Sequence, residues 1–267
     1  FARKIAGGQL GSRLDVRYRD EIGELCETIN DMSQELARSE KMKNDFISSV
    51  SHELRTPLTA INGWTETVEN SLDDPETARM GLGIIKSETL RLSQMVEELL
   101  DFSRIESGRL KLNMEMFDVR GEVYDAVFTY RELLSKQNLT VSYSEPEEPV
   151  MVFGDKNRLK QVFLNILDNA AKYGSAGRSV DINIFEDGPY CTVTIRDHGQ
   201  GIPPSELPRV KEKFFKGSAY GRGAGIGLAV CNEIMALHGG TMDITSEVGK
   251  GTCVTVKLPT RIQEKQK

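Results

Sequence analysis

Several short segments of the sequence carry side chains that could do phosphate chemistry, and the first surrounds a histidine. Residues 51–58 read Ser-His-Glu-Leu-Arg-Thr-Pro-Leu. An imidazole that attacks phosphorus needs a base for its second proton, and the adjacent carboxylate of Glu53 could accept it from His52. In a helix Thr56 lies one turn from His52 on the same side. Isolated His-Glu pairs usually just face solvent, but Pro57 removes a helical hydrogen bond, which favours a functional use of this turn.

The second segment gathers amide groups and an ammonium on one side of a predicted helix. Asn165 and Asn169 are four residues apart, and Lys172 follows three residues later, so all three share a face. Amide oxygens suit Mg²⁺, and lysine suits phosphate. Asparagines at this spacing are often plain surface residues. Here, however, the opposite face is apolar throughout, with Val162, Phe163, Ile166 and Leu167.

A carboxylate followed by glycines ends a predicted strand in residues 197–201, Asp-His-Gly-Gln-Gly. Asp197 at a strand end could accept a hydrogen bond from the exocyclic amine of adenine, while Gly199 and Gly201 let the backbone approach a flat ring. On its own this pattern also describes an ordinary tight turn. Residues 249–252, Gly-Lys-Gly-Thr, similarly indicate a turn between two strands.

A glycine string, residues 221–228, precedes an apolar helical pattern. Backbone amides at a helix N-terminus could cradle phosphates there. The string matches neither the dinucleotide fingerprint nor the G-x-x-x-x-G-K-[ST] phosphate loop, and no strand leads into it. On its own the glycine string is therefore weak evidence for a phosphate site, since flexible loops have similar sequences.

Apolar periodicity predicts that a helical hairpin presents the histidine. Ile22, Leu25, Ile29, Met32 and Leu36 alternate steps of three and four, which indicates one long helix or two phased helices over residues 21–70. Residues 71–75 break the pattern, with Asp74 as N-cap and Pro75 at the first position of a second helix that ends at Ser107-Gly108. Two amphipathic helices alone bury little of their apolar surface. We therefore expect a homodimer with a four-helix bundle.

From about residue 110 the pattern becomes mixed and predicts a compact α+β domain. Helical patterns at residues 118–136, 156–172 and 226–237 alternate with five β-rich runs. The predicted strands are residues 139–143, 180–185, 191–196, 241–245 and 253–258.

Composition excludes several other classes of protein. The 267 residues are 39% hydrophobic and 28% charged, as in folded multidomain proteins. The formal charge of −6 argues against direct nucleic-acid binding. Four scattered cysteines predict neither a zinc site nor a disulfide scaffold and favour a cytoplasmic, reducing compartment. No long apolar run is present, and the start at Phe1 without methionine suggests that an upstream part is missing.

In this order and spacing the segments resemble the motif series of the sensor histidine kinases. The phosphoacceptor box falls at 51–58, the N box at 165–173, the glycine boxes at 197–201 and 223–227, with an F-box-like Phe214-Phe215 between them. Residues 5–36 look like the second half of a HAMP signalling module. The resemblance implies HAMP over residues 1–38, a dimerisation and phosphotransfer domain over 39–108, an ATP-binding α+β sandwich of the Bergerat type over 109–262, and a tail over 263–267.

The resemblance also implies a role for each matching residue. His52 would be the phosphorylated nucleophile, Glu53 its base, and Thr56 would orient a water during dephosphorylation of a partner. Asn169 would ligate Mg²⁺, supported by Asn165. The remaining nucleotide contacts would come from Lys172, Tyr173, Asp197, Gly199, Gly201, Gly225, Gly227 and Thr252, with Lys216 and Arg222 as lid residues near the γ-phosphate.

The expected activity is Mg-ATP-dependent autophosphorylation of His52, followed by transfer to an aspartate of a response regulator. HAMP modules normally follow a transmembrane helix, so this would be the cytoplasmic part of a bacterial membrane protein. Three alternatives remain: mainly a phosphatase, a plain ATPase of the chaperone and gyrase group, or a scaffold without catalysis. Asn165 stands where that ATPase group has a glutamate base. Of the other histidines, His198 is expected to face solvent and His238 to complement a helix dipole.

Overall fold

The computed structural model describes residues 12–16, 20–71, 73–136, 138–174, 177–213, 215, 217 and 225–260. The described residues divide into two compact units, and the division falls between Leu92 and Ser93. The phosphoacceptor box lies in the first unit, and the N box and glycine boxes lie in the second. Each unit therefore has its own internal architecture.

The first unit is built on one long helix, α1 (Glu21–Asn70). It begins at Asp20, whose side chain accepts hydrogen bonds from the amides of Ile22 and Gly23, each at 3.1 Å. The helix continues through Pro57, so the single-helix form of the sequence prediction is confirmed. An extended segment, residues 12–16, is fixed to α1 because the Asn30 side chain bonds both the N–H and the C=O of Leu14.

The second helix, α2 (Pro75–Glu106), starts and ends at the predicted signals. The Asp74 carboxylate accepts hydrogen bonds from the amides of Glu76 and Thr77, and Gly108 follows the helix with φ of 63°. Gly81 lets α2 approach α1 closely: a Cβ at this position would lie 2.5 Å from Val68 Cγ2 and 3.1 Å from Trp64. The C-terminal part of α2, residues 93–106, belongs to the second unit.

The second unit contains a five-stranded sheet in the order β2-β4-β5-β7-β6. The β2–β4 pair is parallel and the other neighbours are antiparallel. Alternate residues such as Val180, Ile182, Val193 and Ile195 are buried, which gives the sheet one apolar face. Its elements are β1 (Glu115–Asp118), α3 (Val119–Lys136), β2 (Thr140–Ser144), β3 (Met151–Gly154), α4 (Lys156–Tyr173), β4 (Ser179–Asp187), β5 (Tyr190–Asp197), a short 3₁₀ turn (Leu207–Arg209), α5 (Gly227–Leu237), β6 (Thr241–Glu247) and β7 (Gly251–Pro259).

This architecture confirms the predicted fold class, a helical hairpin followed by an α+β domain. All three predicted helices and all five predicted strands of the domain are present within a few residues of their expected bounds. The pair of short strands β1 and β3, which form a separate two-stranded ladder, was not predicted. Each has only four residues, too few to show a period.

We expect Gly81→Leu to lower the free energy of unfolding of the hairpin by about 1–3 kcal/mol, because the new side chain overlaps Val68 and Trp64. Gly83 is the matched control on the same helix, since a Cβ there meets nothing within 4 Å. Gly83→Leu should leave stability unchanged or raise it through better helix propensity. Urea unfolding followed by circular dichroism measures both. Equal effects of the two substitutions would contradict close packing at Gly81.

Candidate active site

The phosphoacceptor box presents its histidine to solvent and turns its carboxylate inward. His52 and Thr56 are exposed on one side of α1, and the Thr56 hydroxyl donates to the His52 carbonyl at 3.2 Å. Glu53 is only 7% exposed and lies 3.6 Å from an Nη of Arg91 on α2. Pro57 is buried and has no N–H, so it cannot bond the carbonyl of Glu53 four residues earlier. The imidazole is therefore accessible, while the neighbouring carboxylate is held toward α2.

The two asparagines of α4 lie half-buried on the polar face of that helix. Their opposite face forms part of the core, as predicted. Asn165 packs against the first residue of α5: a Cβ at Gly227 would lie 2.5 Å from Asn165 Oδ1. Only glycine allows this approach, so the glycine string brings the start of α5 directly to the N box.

Asp197 ends β5 as a buried carboxylate that is 8% exposed. Its Oδ1 accepts hydrogen bonds from the amides of Gly199 at 2.9 Å and Thr252 at 3.3 Å. Burial raises the pKa of Asp197, and these two amides act against that shift. Because both donors converge on Oδ1, Oδ2 is the oxygen that can accept from the amino group of a ligand.

Three backbone segments close around Asp197, and glycines make their contact possible. A Cβ at Gly199 would lie 2.1 Å from the carbonyl oxygen of Tyr173, and one at Gly251 would lie 2.0 Å from that of Asp197. Gly251 also has φ of 95°, which other residues rarely adopt. The end of α4, the loop after β5 and the β6–β7 turn therefore form one site, which includes Tyr173, Gly199 and Thr252.

The hydroxyl of Ser246, which no sequence motif singled out, links the segments of this site by hydrogen bonds. Ser246 Oγ accepts from the amide of Ile202 at 2.8 Å and bonds the Gly251 carbonyl at 2.8 Å and Thr252 Oγ1 at 2.9 Å. A serine inside a strand carries no distinctive sequence signal. Its role follows only from the packing of β6 against the loop after β5.

Family models match three consecutive parts of the chain. The HAMP domain model matches residues 2–38, the His Kinase A (phospho-acceptor) domain model matches 42–108, and the model of the histidine kinase-, DNA gyrase B- and HSP90-like ATPases matches 154–262. The sensor protein SrrB of Staphylococcus aureus strain MRSA252 is 34% identical over 237 residues, which are 87% of this chain and 40% of that protein. The chain belongs to the sensor histidine kinases of two-component systems. It spans about two fifths of the length of the curated relatives that it matches.

Solved histidine kinases share the fold. AdeS of Acinetobacter baumannii is 26% identical with a TM-score of 0.59, and the match covers 79% of this chain and 98% of that one. Full-length ShkA, solved in complex with AMPPNP, is 26% identical with a TM-score of 0.61, covering 79% of this chain and 45% of ShkA. ThkA, solved with the response regulator TrrA, shows the same fold at 24% identity and a TM-score of 0.62, covering 86% of this chain and 66% of ThkA.

Within this sensor kinase, Lys172 makes a different contact from the one that its motif suggests. Its ammonium forms an ion pair with Asp168, one turn earlier on α4. Glu98 of α2 lies near both groups; its burial raises the pKa of its carboxyl, and Lys172 opposes that shift. A phosphate contact by Lys172 thus competes with these carboxylates.

Two lid residues singled out from the sequence, Lys216 and Arg222, lie outside the described residues, as does Phe214. Gly225, at the end of the glycine string, has φ of 68° and directs the chain into α5. Gly201 has φ of 71° and packs on the carbonyl of Glu247. The described residues hold no cluster of three or more histidine, cysteine or acidic side chains that could bind a metal, and no helix apolar and long enough to span a membrane.

The interpretation of His238 as a charge that complements a helix dipole is wrong. His238 does follow α5, but it is 5% exposed. Its Nδ1 donates to the carbonyl of Ile234 at 2.7 Å, and its Nε2 accepts from the amide of Asp155 at 2.9 Å. An acceptor nitrogen carries no proton, so the ring is neutral. Burial accordingly lowers the pKa of His238.

His198, expected to face solvent, is only partly exposed. Its Nε2 lies 2.7 Å from Asp181 Oδ2 on β4, and both side chains are 37% exposed. The contact joins the loop after β5 to the neighbouring strand, beside the buried carboxylate of Asp197.

The buried His238 predicts a loss of stability in mild acid. Its folded-state pKa lies below the ordinary 6.5, so below about pH 6.5 the unfolded chain binds a proton that the folded chain resists. The stability from His238 is complete above that pH and is lost as the pH falls through the folded-state pKa. Urea unfolding at pH 7.5 and pH 5.5 should show this loss in the wild type. In His238→Gln, which is less stable at pH 7.5, the difference between the two pH values should shrink; an unchanged difference would assign the pH dependence to other groups.

Proposed function

We propose that the chain is the catalytic core of a sensor kinase that uses ATP to phosphorylate its own His52 and then passes the phosphoryl group to an aspartate of a response regulator. The observation that carries the proposal is the exposed imidazole of His52, next to Glu53 on α1, in a chain that also holds the buried carboxylate site of Asp197. Membership of the histidine kinase family supports the coupling of these two sites.

Adenine fits the Asp197 site. Oδ2 of Asp197 would accept the exocyclic amine, and the closely packed backbone of residues 173–174, 199–201 and 251–252 surrounds this carboxylate. The complex of ShkA with AMPPNP supports nucleotide binding in a related domain. The amides at the start of α5, next to Gly225 and Gly227, are oriented for phosphate.

Asn169, with Asn165 beside it, is the proposed magnesium ligand. An amide oxygen is a suitable ligand for Mg²⁺, which keeps most of its waters and binds mainly through phosphate. The bound ion would neutralise charge on the transferring phosphoryl group. The contact of Asn165 with Gly227 holds its amide at the start of α5, and therefore close to the proposed phosphate site.

Transfer requires a His52 nitrogen to attack phosphorus in line with the leaving group, while the proton on the other nitrogen passes to Glu53. Glu53 lies against Arg91, so it has to turn from this contact toward the imidazole. Protonation of Glu53 would abolish the charge attraction to Arg91. The ion pair therefore sets the resting position of the base, and movement of α1 against α2 controls when it is available.

The proposed assembly is a homodimer, and the exposed apolar residues of the hairpin support it. The predicted seam of α1 contains Ile22, Leu25, Met32 and Leu36, which are 44–55% exposed in the single chain. A second copy would cover them in a four-helix bundle. The HAMP match supports the further proposal that the whole protein is anchored in a membrane upstream of residue 1, with this part on the cytoplasmic side.

A second activity, removal of phosphate from the regulator, is favoured by Thr56. Its hydroxyl is exposed one turn from His52 and donates to the His52 carbonyl at 3.2 Å. A hydroxyl there could position a water in line with an acyl phosphate. A plain ATPase is less well supported, because Asn165, packed on Gly227, cannot act as a base toward water.

We expect wild-type protein incubated with γ-labelled ATP and Mg²⁺ to take up acid-labile, base-stable label, and His52→Gln to take up none. The glutamine removes the nucleophile but preserves an exposed polar side chain. Label should move to a response regulator when one is added. Thr56→Ala is the matched control, since it alters the same face of α1 and should retain labelling.

Labelling of His52→Gln would place the nucleophile elsewhere. A wild type that binds nucleotide but takes no label would instead favour the phosphatase or the scaffold.

Asp197→Asn should weaken ATP binding by about tenfold or more, because the amide donors of asparagine oppose the amine of adenine. The preference for ATP over GTP should shrink as well, since guanine presents an acceptor at that position. Fluorescence titration with nucleotide measures both. Asp187→Asn is the control: the exposed Asp187 ends β4 and pairs with Lys257, away from the site. Equal losses in the two variants would contradict adenine recognition by Asp197.

A further inference from the structure

Asp101, near the end of α2, is held by the first turns of α4. It is only 7% exposed, and its Oδ2 accepts from Arg158 Nη1 at 2.5 Å and from Gln161 Nε2 at 2.9 Å. Arg158 also donates to Gln161 Oε1 at 2.8 Å, and Arg104 lies 3.7 Å from Asp101 Oδ1. A carboxylate that is buried and bonded by several donors is much more firmly held than an exposed ion pair.

The linker after α2, residues 107–114, is fixed near both of its ends. At its start, Glu106 forms an ion pair with Lys213, which also lies 3.9 Å from Glu233 of α5. Toward its end, the amide of Asn113 donates to Asp155 Oδ2 at 2.8 Å. Asp155 is itself the N-cap of α4. Contacts near both ends of the linker therefore hold it to the domain that follows, which leaves the linker little freedom to bend.

The division between the two compact units reflects these contacts. It falls between Leu92 and Ser93, inside the continuous helix α2, about 20 residues before the linker ends. We propose that Asp101 is a positioning residue for phosphoryl transfer: with Arg158 and Gln161 it holds the nucleotide-binding domain on residues 93–106 of α2. This inference rests on the proposed kinase function.

The expected consequence concerns the transfer rate. His52 belongs to the first unit and the nucleotide site to the second, so transfer depends on how often the phosphate meets the imidazole in line. While these contacts hold, the nucleotide-binding domain moves together with residues 93–106 of α2. Without them it samples more positions, and the productive fraction of encounters falls. Asn165 and Asp197 are held by other contacts, so nucleotide affinity should not change.

Hydrogen exchange of the full chain tests whether Asp101 holds the domain on α2, and it does so without relying on activity. In Asp101→Ala, amides of residues 96–106 should exchange about fivefold faster or more, because this part of α2 loses its attachment. Exchange in residues 78–90 and in the core of α4 should stay as in the wild type. Glu97→Ala is the matched control: Glu97 is an exposed acid one turn earlier on the same helix. Unchanged exchange in Asp101→Ala, or equal acceleration on both sides of Leu92, would overturn the proposal.

Arg158→Ala breaks the same contact from the other side and should reproduce this pattern. The double variant should be no more affected than Asp101→Ala alone, since that substitution already removes the contact with Arg158. In all three, kcat for autophosphorylation should fall about five- to tenfold while KM for ATP and the affinity for nucleotide stay constant. A rise in kcat, an unchanged kcat, or additive effects would each contradict the positioning role. A wild type that does not bind nucleotide would contradict the proposed function rather than the positioning role. The hydrogen-exchange result would still test the positioning role in that case.

Discussion

The hydrogen bonds at the first turn of α4 are the constraint on which most of the second unit depends. Asp155 caps this turn through the amide of Arg158, accepts the amide of Asn113, and donates its own amide to the neutral ring of His238. The ring in turn bonds the end of α5 at Ile234. One short turn thus joins α4, the linker and α5. Because these contacts are largely buried, each donor needs its acceptor, and a lost partner costs more than a surface hydrogen bond.

The other end of α4 is held by steric contact rather than by charge. Gly174 packs on the side chain of Asp197: a Cβ at position 174 would lie 2.9 Å from the Cβ of Asp197. The carbonyl of Tyr173 packs against Gly199 in the same way. Halfway along, Asn165 touches Gly227. The helix that carries both asparagines is therefore positioned at its start by hydrogen bonds, in its middle by α5 and at its end by the loop after β5. Because α4 is held along its whole length, the geometry of the proposed nucleotide site is fixed.

The fold was largely predictable because its signals are local. The a/d spacing of α1, the Asp74-Pro75 start of α2 and the strand ending at Asp197 each lie within one segment of the chain. The site motifs were found for the same reason. Contacts between distant residues were not predictable: Asp101 and Arg158 are 57 residues apart, and Asp155 and His238 are 83 apart. His238 shows the limit clearly, because its place after a helix suggested a charge and its burial makes it neutral.

Burial separates the residues that are proposed to recognise a ligand from those that are proposed to react. Asp197 and Glu53 are buried, whereas His52, Thr56 and Lys172 are exposed. A carboxylate that recognises an amine gains from low polarity around it, since water no longer competes for the hydrogen bond. The proposed nucleophile, which would have to meet a phosphate and later a partner protein, has to remain accessible. Glu53, the proposed base, is buried and pairs with Arg91. In the proposed mechanism this contact shields the base at rest, and a shift of α1 against α2 makes it available. The interior of the hairpin can therefore control chemistry at its surface.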